Sequence, residues 1–401
     1  MSWKLARDGH EVCSAPGNPG MASLGPAFDV AADDLEGLAK LAAEREIDLT
    51  VVGPEIPLVA GLTDLFAARG LRVFGPSKAA AEIEGSKVFC RELARRHGVP
   101  MAEGESFDDP DAAIDFARTI APPIVVKAEG LAAGKGVLIC RNHAHAAEAI
   151  DDIMRGSAFG DAGRRVVVEE FLEGRETSIF TLADGNTTVV LEPAQDYKRA
   201  LDGDQGLNTG GMGAYSPVPW LGEMRQRAVD EIVIPLIEGL ASEGRTFKGC
   251  FYAGLMITAK GPRLIEVNCR FGDPDGIVLM PRLASDLGEL LFAVAEGSLG
   301  AQKVTWRDEA CVAVVVASGG YPSDYRKGVP IAGIESSDDV VVFHAGTALR
   351  DGSLVSSGGR VLDVTALGAT IDDARARAYE TAAKIRMDGM HYRTDIAKGV
   401  Q

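Results

Sequence analysis

Residues 263–273, RLIEVNCRFGD, are the segment around which the rest of the chain is arranged. On a strand, side chains alternate between the two faces of the sheet. One face of this stretch therefore carries a carboxylate, an amide and a guanidinium, from Glu266, Asn268 and Arg270. Carboxylate and amide oxygens bind Mg²⁺ and a guanidinium pairs with phosphoryl oxygens, so the pattern indicates phosphoryl transfer. An exposed edge strand with ordinary polar residues is the alternative that this segment alone leaves open.

Composition excludes several classes of protein. The chain has 401 residues, which favours roughly two to four domains. Its formal net charge of -17 argues against a nucleic-acid partner, because a phosphate backbone requires clustered Lys and Arg. The six cysteines form no C-x-x-C pair, which argues against zinc or disulfides and favours reduced thiols in the cytoplasm. No apolar run reaches the roughly 20 residues of a membrane helix, so we expect no membrane partner.

The N-terminal region has the alternating pattern of a doubly wound α/β domain. The pattern predicts helices at 1–8, 35–46 and 58–69, and strands at 11–15, 48–53 and 72–74. The opening strand and loop of such a domain are missing from this pattern, so we expect the chain to begin in mid-unit. Gly53, Pro54 and Glu55 follow a strand at the edge where open sheets bind ligands, although a routine turn has the same composition.

A helical pair at 77–98 is interrupted by Gly85, Ser86 and Lys87. Ser86 is placed to cap the second helix, and Lys87 falls in its first turn, where a positive charge opposes the helix dipole. This placement suggests that an anion lies nearby.

A glycine-rich hairpin follows at 122–137, PPIVVKAEGLAAGKGV. Its two apolar strands flank a small-residue loop whose N–H groups suit phosphate oxygens, with Lys127 and Lys135 supplying charge. Gly136 follows Lys135 where a P-loop has Ser or Thr, so the pattern indicates a phosphate flap of another kind. A flexible glycine hairpin is the alternative.

The strand at 165–169 leads into Glu169, Glu170, Phe171 and Leu172, whose backbone groups can meet the edge of a purine. Glu176 can then accept hydrogen bonds from ribose hydroxyls. A solvated linker between strands is the alternative.

Residues 195–217 contain the run NTGGMGAYSP and are predicted to be one long substrate loop. Loops of this length within a compact domain are usually functional, and glycine lets the backbone approach a ligand closely. Beyond this loop the pattern predicts a helix at 223–243, paired strands at 249–259 and 263–268, and a helix at 285–296. From about residue 302, strands at 310–317, 340–344 and 359–365 and a helix at 371–385 indicate a small α+β domain.

Taken in order, these motifs resemble the ATP-grasp carboxylate–amine ligases. Over essentially its whole length, the chain most specifically resembles the glycinamide ribonucleotide synthetase family. The resemblance implies a multidomain α/β fold with an N-terminal doubly wound sheet, a central ATP-grasp unit and a small C-terminal domain. The expected limits are 1–83 for the N-terminal domain, 84–104 with 173–301 for the main ATP-grasp subdomain, 105–172 for its lid, and 302–401 for the C-terminal domain.

The resemblance also implies roles for individual residues, with ATP and Mg²⁺ or Mn²⁺ as the bound groups. Lys87, Lys127 and Arg270 would be catalytic, and Glu266 and Asn268 would bind the metal. The residues expected to bind ATP are Lys87, Lys127, Gly134, Lys135, Gly136, Glu169, Glu170, Phe171, Leu172 and Glu176. The residues expected to bind glycine and phosphoribosylamine are Asn18, Gly53, Pro54, Glu55, Asp196, Lys198, Asn208, Gly211 and Gly213, with Arg270 also meeting glycine.

The implied activity joins glycine to phosphoribosylamine through a glycyl phosphate, in a cytoplasmic monomer. The sequence departs from the family pattern in three places. Residues 1–3 stand where the family has a strand and a G-x-G-G-R-E-H loop, Asp275-Gly276-Ile277 replaces the family's E-T-Q, and Leu207 replaces a usual Pro. We expect these changes to weaken phosphoribosylamine binding more than ATP binding.

Three other functions stay open at this point. A ligase with another amine acceptor would share the ATP residues, and a catalytically impaired relative would bind ATP without cleaving it. A nicotinamide oxidoreductase is disfavoured because no G-x-G-x-x-G follows a strand.

Overall fold

The computed structural model describes residues 1–131, 136–156 and 160–400. Its centre is a four-stranded antiparallel sheet. In spatial order the strands are Gly261–Asn268, Lys248–Thr258, Arg175–Asp184 and Thr188–Val190. The predicted pairing of 249–259 with 263–268 is confirmed, and it places Glu266 opposite Gly254 and Asn268 opposite Tyr252.

A shift of register interrupts this pairing at Ile265. Gly254 lies opposite Glu266, whereas the next residue, Leu255, lies opposite Leu264, so Ile265 is the extra residue of a bulge. A bulge re-aims the strand locally and leaves the extra residue outside the ladder. Here the Ile265 carbonyl accepts a hydrogen bond from Lys127 Nζ at 3.2 Å. The bulge therefore connects the central sheet to a lysine of the neighbouring sheet.

The N-terminal region contains a parallel pair of short strands, Thr50–Val51 and Val73–Phe74. Its helices are Ser2–Arg7, Pro19–Ala22, Leu35–Glu44, Glu55–Ala60, Leu62–Ala68, Lys78–Gly85 and Lys87–Arg96. The parallel pairing is as predicted, but in the described chain the sheet is limited to these two strands. The single helix predicted at 58–69 is wrong, because Gly61 adopts a left-handed conformation (φ 104°) that ends one helix and starts the next.

The strand predicted at 11–15 is also wrong. Only Ser14 forms a bridge, to Ala27. Pro16 and Pro26 flank this bridge, and proline has no N–H to extend a ladder.

The lid is a four-stranded sheet in the order Gly104–Phe107, Val166–Glu170, Ile124–Ala128 and Val137–Cys140. The helices Pro110–Ala117 and His143–Met154 bury their apolar faces against it. The two apolar strands of the predicted flap are confirmed as an antiparallel hairpin. Gly134 and Lys135, predicted to bind phosphate at its tip, lie outside the described residues.

The long loop predicted at 195–217 is wrong, because this region contains four short strands. They are Gln195–Asp196, Arg199–Leu201, Gln205–Asn208 and Gly213–Ser216. The first and last join a five-stranded sheet with the C-terminal strands Ala310–Ala317, Val340–His344 and Arg360–Gly368. This sheet therefore crosses the expected domain limit at 301/302.

Helices complete the central and C-terminal regions. The predicted helix at 223–243 is continuous but contains a π-helical turn, with the segments Met224–Ala228, Val229–Val233 and Ile234–Ser242. The other helices are Asp275–Arg282, Leu287–Glu296 and Ile371–Ala382, and a hairpin joins Thr347–Arg350 to Ser353–Ser356. Within the described residues, no helix is long and apolar enough to cross a membrane.

Candidate functional site

A cavity of about 1800 Å³ opens between the lid, the central sheet, the N-terminal region and the C-terminal sheet. It brings together most of the residues predicted to bind ligands. Those in its wall are Asn18, Gly53, Pro54, Glu55, Lys87, Lys127, Gly136, Glu169, Glu170, Phe171, Leu172, Glu176, Asp196, Lys198, Asn208, Glu266, Asn268 and Arg270. We refer to this cavity as the cleft.

Two predicted substrate residues, Gly211 and Gly213, lie outside the wall of the cleft. A Cβ on Gly213 would lie 2.6 Å from the Ala313 carbonyl oxygen, and one on Gly211 would lie 2.2 Å from Pro274 Cδ. These glycines let the backbone pack closely against other parts of the protein. The structure therefore does not place them facing a ligand, as had been predicted.

Asn18 lines the cleft, but its side chain is already engaged. Its amide donates to the His344 carbonyl at 2.6 Å, and its Oδ1 caps the helix Pro19–Ala22 by accepting from Met21 N. In this structure Asn18 links the N-terminal region to the C-terminal sheet.

Glu266 lies at the centre of a cluster of positive charge. Burial alone would raise the pKa of this carboxyl, yet Lys198, Lys127, Lys87 and Arg270 together hold the pKa below its ordinary value. Glu266 is therefore ionised at neutral pH, and its negative charge is stabilised from several sides.

Glu266 and Asn268 both line the cleft from one face of the strand, as the alternation predicted. Asn268 Oδ1 accepts from Arg270 Nη2 at 3.2 Å. Among the described residues there is no group of three or more His, Cys, Asp or Glu side chains that would enclose a metal. Two protein oxygens beside an open cleft fit Mg²⁺, which commonly keeps one or two protein ligands and completes its shell with phosphates and water.

Lys87 and Lys127 are held in place by backbone carbonyls. Lys87 Nζ donates to the Gly130 carbonyl at 3.0 Å, and burial lowers the pKa of Lys87 although Glu266 opposes the effect. Ser86 caps the helix Lys87–Arg96, as predicted, by accepting from Phe89 N. The first turn of this helix is thereby held beside the lid.

Lys127 forms an ion pair with Glu169 in addition to its bond to Ile265. Glu169 is also paired with Arg91, whose Nη1 lies 3.2 Å from Glu169 Oε2. The Glu169 carboxylate therefore orients Lys127. Phe171 and Leu172 follow the strand Val166–Glu170 and line the cleft in an irregular conformation.

Glu84 was not predicted as a site residue, but it is 8% exposed and pairs with Arg270 Nη2 at 3.4 Å. Glu84 Oε2 also accepts from Cys269 N at 2.7 Å and from Cys269 Sγ at 2.9 Å. Burial raises the pKa of Glu84, and Arg270 opposes that shift. The sequence did contain one indication of this role. Glu84 is an acidic residue on the apolar face of a helix, where Ala80, Ala81 and Ile83 are also buried. Arg270 contacts a second carboxylate, Glu55, at 3.3 Å.

Two further acids were also missed as site residues. Asp275 and Asp363 are 2% and 3% exposed, both line the cleft, and each has an Oδ1 with no hydrogen-bond partner among the described residues. Burial, followed by the charge of Asp273, raises the pKa of Asp363 to about 7, although Arg360 opposes the effect. Arg360 is itself bound to Asp273 Oδ1 at 3.0 Å.

The raised pKa of Asp363 predicts that the protein loses stability as the pH rises. The folded carboxyl keeps its proton up to about pH 7, whereas the unfolded carboxyl loses it near pH 4. Between these values the folded state binds more protons, so the free energy of unfolding falls with rising pH. Asp363→Asn should remove this contribution, on the order of 2–4 kcal/mol, and therefore stabilise the protein more at pH 8 than at pH 5. Urea unfolding at both pH values measures this difference, and an equal effect at the two would contradict the assignment.

Comparison with known proteins agrees with this architecture. Three family models described as phosphoribosylglycinamide synthetase match the chain: the N domain at residues 1–84, the ATP-grasp (A) domain at 85–276 and the C domain at 311–399.

The sequence is 51% identical over 400 residues to the phosphoribosylamine–glycine ligase of Agrobacterium fabrum, covering 99% of this chain and 94% of that protein. It is 48% identical over 404 residues to the Pseudomonas aeruginosa protein of the same name, again covering 99% and 94%. The crystal structure of phosphoribosylamine–glycine ligase from Thermotoga maritima matches with a TM-score of 0.86 and 32% identity, covering 98% of this chain and 96% of that chain. Since the models and relatives span nearly all of the sequence, the chain belongs to the phosphoribosylglycinamide synthetase family.

Proposed function

We propose that this protein is a phosphoribosylamine–glycine ligase, which joins glycine to 5-phosphoribosylamine at the expense of ATP in purine biosynthesis. The products are glycinamide ribonucleotide, ADP and phosphate. The observation that carries the proposal is the convergence of Lys87, Lys127, Lys198 and Arg270 on Glu266 within the cleft. Relatives with this ligase name align with 99% of the chain, which supports the choice of substrates.

The nucleotide is proposed to lie between the lid and the central sheet. Lys87 and Lys127 are available to its phosphates, and the backbone of Phe171 and Leu172 is available to the adenine. Glu176, whose pKa is raised by burial although Lys198 opposes the shift, is proposed to accept hydrogen bonds from the ribose hydroxyls. Gly134, Lys135 and Gly136 are proposed to bind the phosphates.

The reaction is proposed to proceed in two steps. A glycine carboxylate oxygen attacks the γ-phosphorus of ATP, the bond to the bridging oxygen breaks, and ADP leaves. The phosphoribosylamine nitrogen then attacks the carbonyl carbon of glycyl phosphate, the C–O bond to phosphate breaks, and the nitrogen loses a proton. No protein nucleophile is needed.

The contribution of the protein is to position the reactants and to stabilise charge. Lys87, Lys127 and Arg270 neutralise the oxygens of the transferred phosphoryl group. A divalent ion held by Glu266 and Asn268 would supply further positive charge to those phosphates. Closure of the lid would exclude water from the acyl phosphate.

The substrates are proposed to bind next to each other in the cleft, because the amine of phosphoribosylamine must reach the carbonyl carbon of glycyl phosphate. Asp196, Lys198 and Asn208 are available to glycine, and Gly53, Pro54 and Glu55 are available to phosphoribosylamine. Asn18 would act there through its contact with His344. The monomeric state and the cytoplasmic location stay predictions.

Measurement of ADP release tests the proposal directly. With Mg²⁺ present, the full chain should release ADP over many turnovers only when glycine and freshly prepared phosphoribosylamine are both supplied, with one glycinamide ribonucleotide formed per ADP. Replacing phosphoribosylamine by other amines, or glycine by other amino acids, distinguishes a ligase with another acceptor. ATP binding without glycine-dependent ADP release would identify a catalytically impaired relative and overturn the proposal.

A further inference from the structure

Asp275 is a buried acid of the cleft that the proposed reaction does not yet use. It is the first residue of the helix Asp275–Arg282 and is 2% exposed. Its Oδ1 is fully buried and has no hydrogen-bond partner among the described residues. A buried oxygen without a hydrogen-bond partner destabilises the folded state, so a protein that retains one calls for an explanation.

The surroundings of Asp275 are rich in negative charge. Burial, followed by the charge of Asp196, raises the pKa of Asp275 to about 7, although Lys198 opposes the shift. Lys198 is already paired with Asp196 at 2.7 Å, and the carboxylates of Glu176 and Glu266 also act on it. Glu266 is also offset by Lys127, Lys87 and Arg270, whereas the cation that acts on both Asp275 and Asp196 is Lys198. Two ionised carboxylates beside one ammonium group leave one negative charge uncompensated.

A small cationic group would satisfy both the unpartnered Oδ1 of Asp275 and the uncompensated negative charge. An ammonium group has donors only and prefers ionised carboxylates as partners. A second metal ion is a poorer fit, because the described residues form no cluster of three or more metal-ligating side chains. The first turn of a helix also favours the ionised carboxylate that an ammonium group would need.

We propose that Asp275, supported by Asp196, binds the ammonium group of glycine and so selects an amino acid over a simple carboxylic acid. This inference rests on the proposed ligase function. With its ammonium group held there, glycine presents its carboxylate toward Arg270 and the strand that carries Glu266 and Asn268. The bound amine also stays protonated, so it does not compete with phosphoribosylamine for the acyl phosphate.

Replacing Asp275 by asparagine tests the proposal. The KM for glycine should rise by about 30-fold or more, since the partner of a buried charge is lost, whereas the KM for ATP should change by less than about threefold. Acetate is glycine without its ammonium group, so its inhibition constant against glycine should be the same in the variant and the wild type. The matched control is Asp111→Asn, because Asp111 also lies in the first turn of a helix, Pro110–Ala117, but is exposed and outside the cleft.

A second measurement needs no variant. In the wild-type protein, acetate should bind at least about 30-fold more weakly than glycine, because only glycine reaches Asp275 with a positive charge. Equal binding of acetate and glycine, or an unchanged KM for glycine in Asp275→Asn, would overturn the inference while leaving the ligase function in place. Absence of glycine-dependent ADP release in the wild type would refute the ligase function, and this inference with it.

Discussion

Replacing Glu266 by glutamine is expected to lower kcat by about 10³-fold or more while leaving the fold intact. Glutamine has nearly the same shape, so the packing opposite Gly254 is retained. The substitution removes the only carboxylate of the proposed metal pair, and a neutral amide holds a hard cation weakly. Turnover should recover in part at high Mg²⁺ concentration if the loss is one of metal binding.

The same variant gives a second readout in the absence of divalent ions. Lys87, Lys127 and Lys198 all act on the Glu266 carboxylate. Replacing this carboxylate by a neutral amide removes an anion that competes with the ATP phosphates for these lysines. ATP without metal should therefore bind the variant at least as tightly as it binds the wild type. Glu238→Gln is the control, because Glu238 is exposed on the helix Ile234–Ser242. Turnover by Glu266→Gln within tenfold of wild type would remove Glu266 from the proposed mechanism.

Local patterns in the sequence were sufficient to predict the strands and helices that carry most of the site. The alternation of side chains along a strand predicted that Glu266 and Asn268 share one face. The capping residue Ser86 predicted the start of the helix that carries Lys87. Both features depend on residues close together in the sequence. For this reason the lid hairpin and the strand pair of the central sheet could also be predicted.

The features that the sequence did not reveal depend on distant contacts. The bulge at Ile265 has a consequence only because Lys127, on another sheet, bonds to its carbonyl. Glu84 is recognised as part of the site only through its pairing with Arg270. Gly213 was predicted to face a ligand. Instead, its lack of a side chain allows its strand to pack closely against the Ala313 carbonyl. Composition alone does not distinguish close approach to a ligand from close approach to protein.

Arg270→Met is expected to damage both stability and activity, for two separable reasons. In the wild type, Arg270 neutralises Glu84, which is buried, and also reaches Glu55. Its removal leaves the Glu84 charge without a partner and should lower the free energy of unfolding by about 3 kcal/mol. Loss of the guanidinium from the cleft should independently lower kcat by about 10²-fold or more.

The double variant Arg270→Met with Glu84→Gln separates these effects. Glutamine keeps an oxygen that can accept the hydrogen bond from Cys269 N, as Glu84 does in the wild type. Because glutamine is neutral, no unpaired charge remains in the interior. Most of the lost stability should therefore return in urea unfolding, whereas kcat should stay at the level of Arg270→Met. The single variant Glu84→Gln is the control, and it should keep activity within about tenfold of wild type because Arg270 remains in the cleft. If the double variant regained activity along with stability, Arg270 would act only as the partner of Glu84, and the charge that stabilises the phosphoryl group would have to come from Lys87 and Lys127 alone.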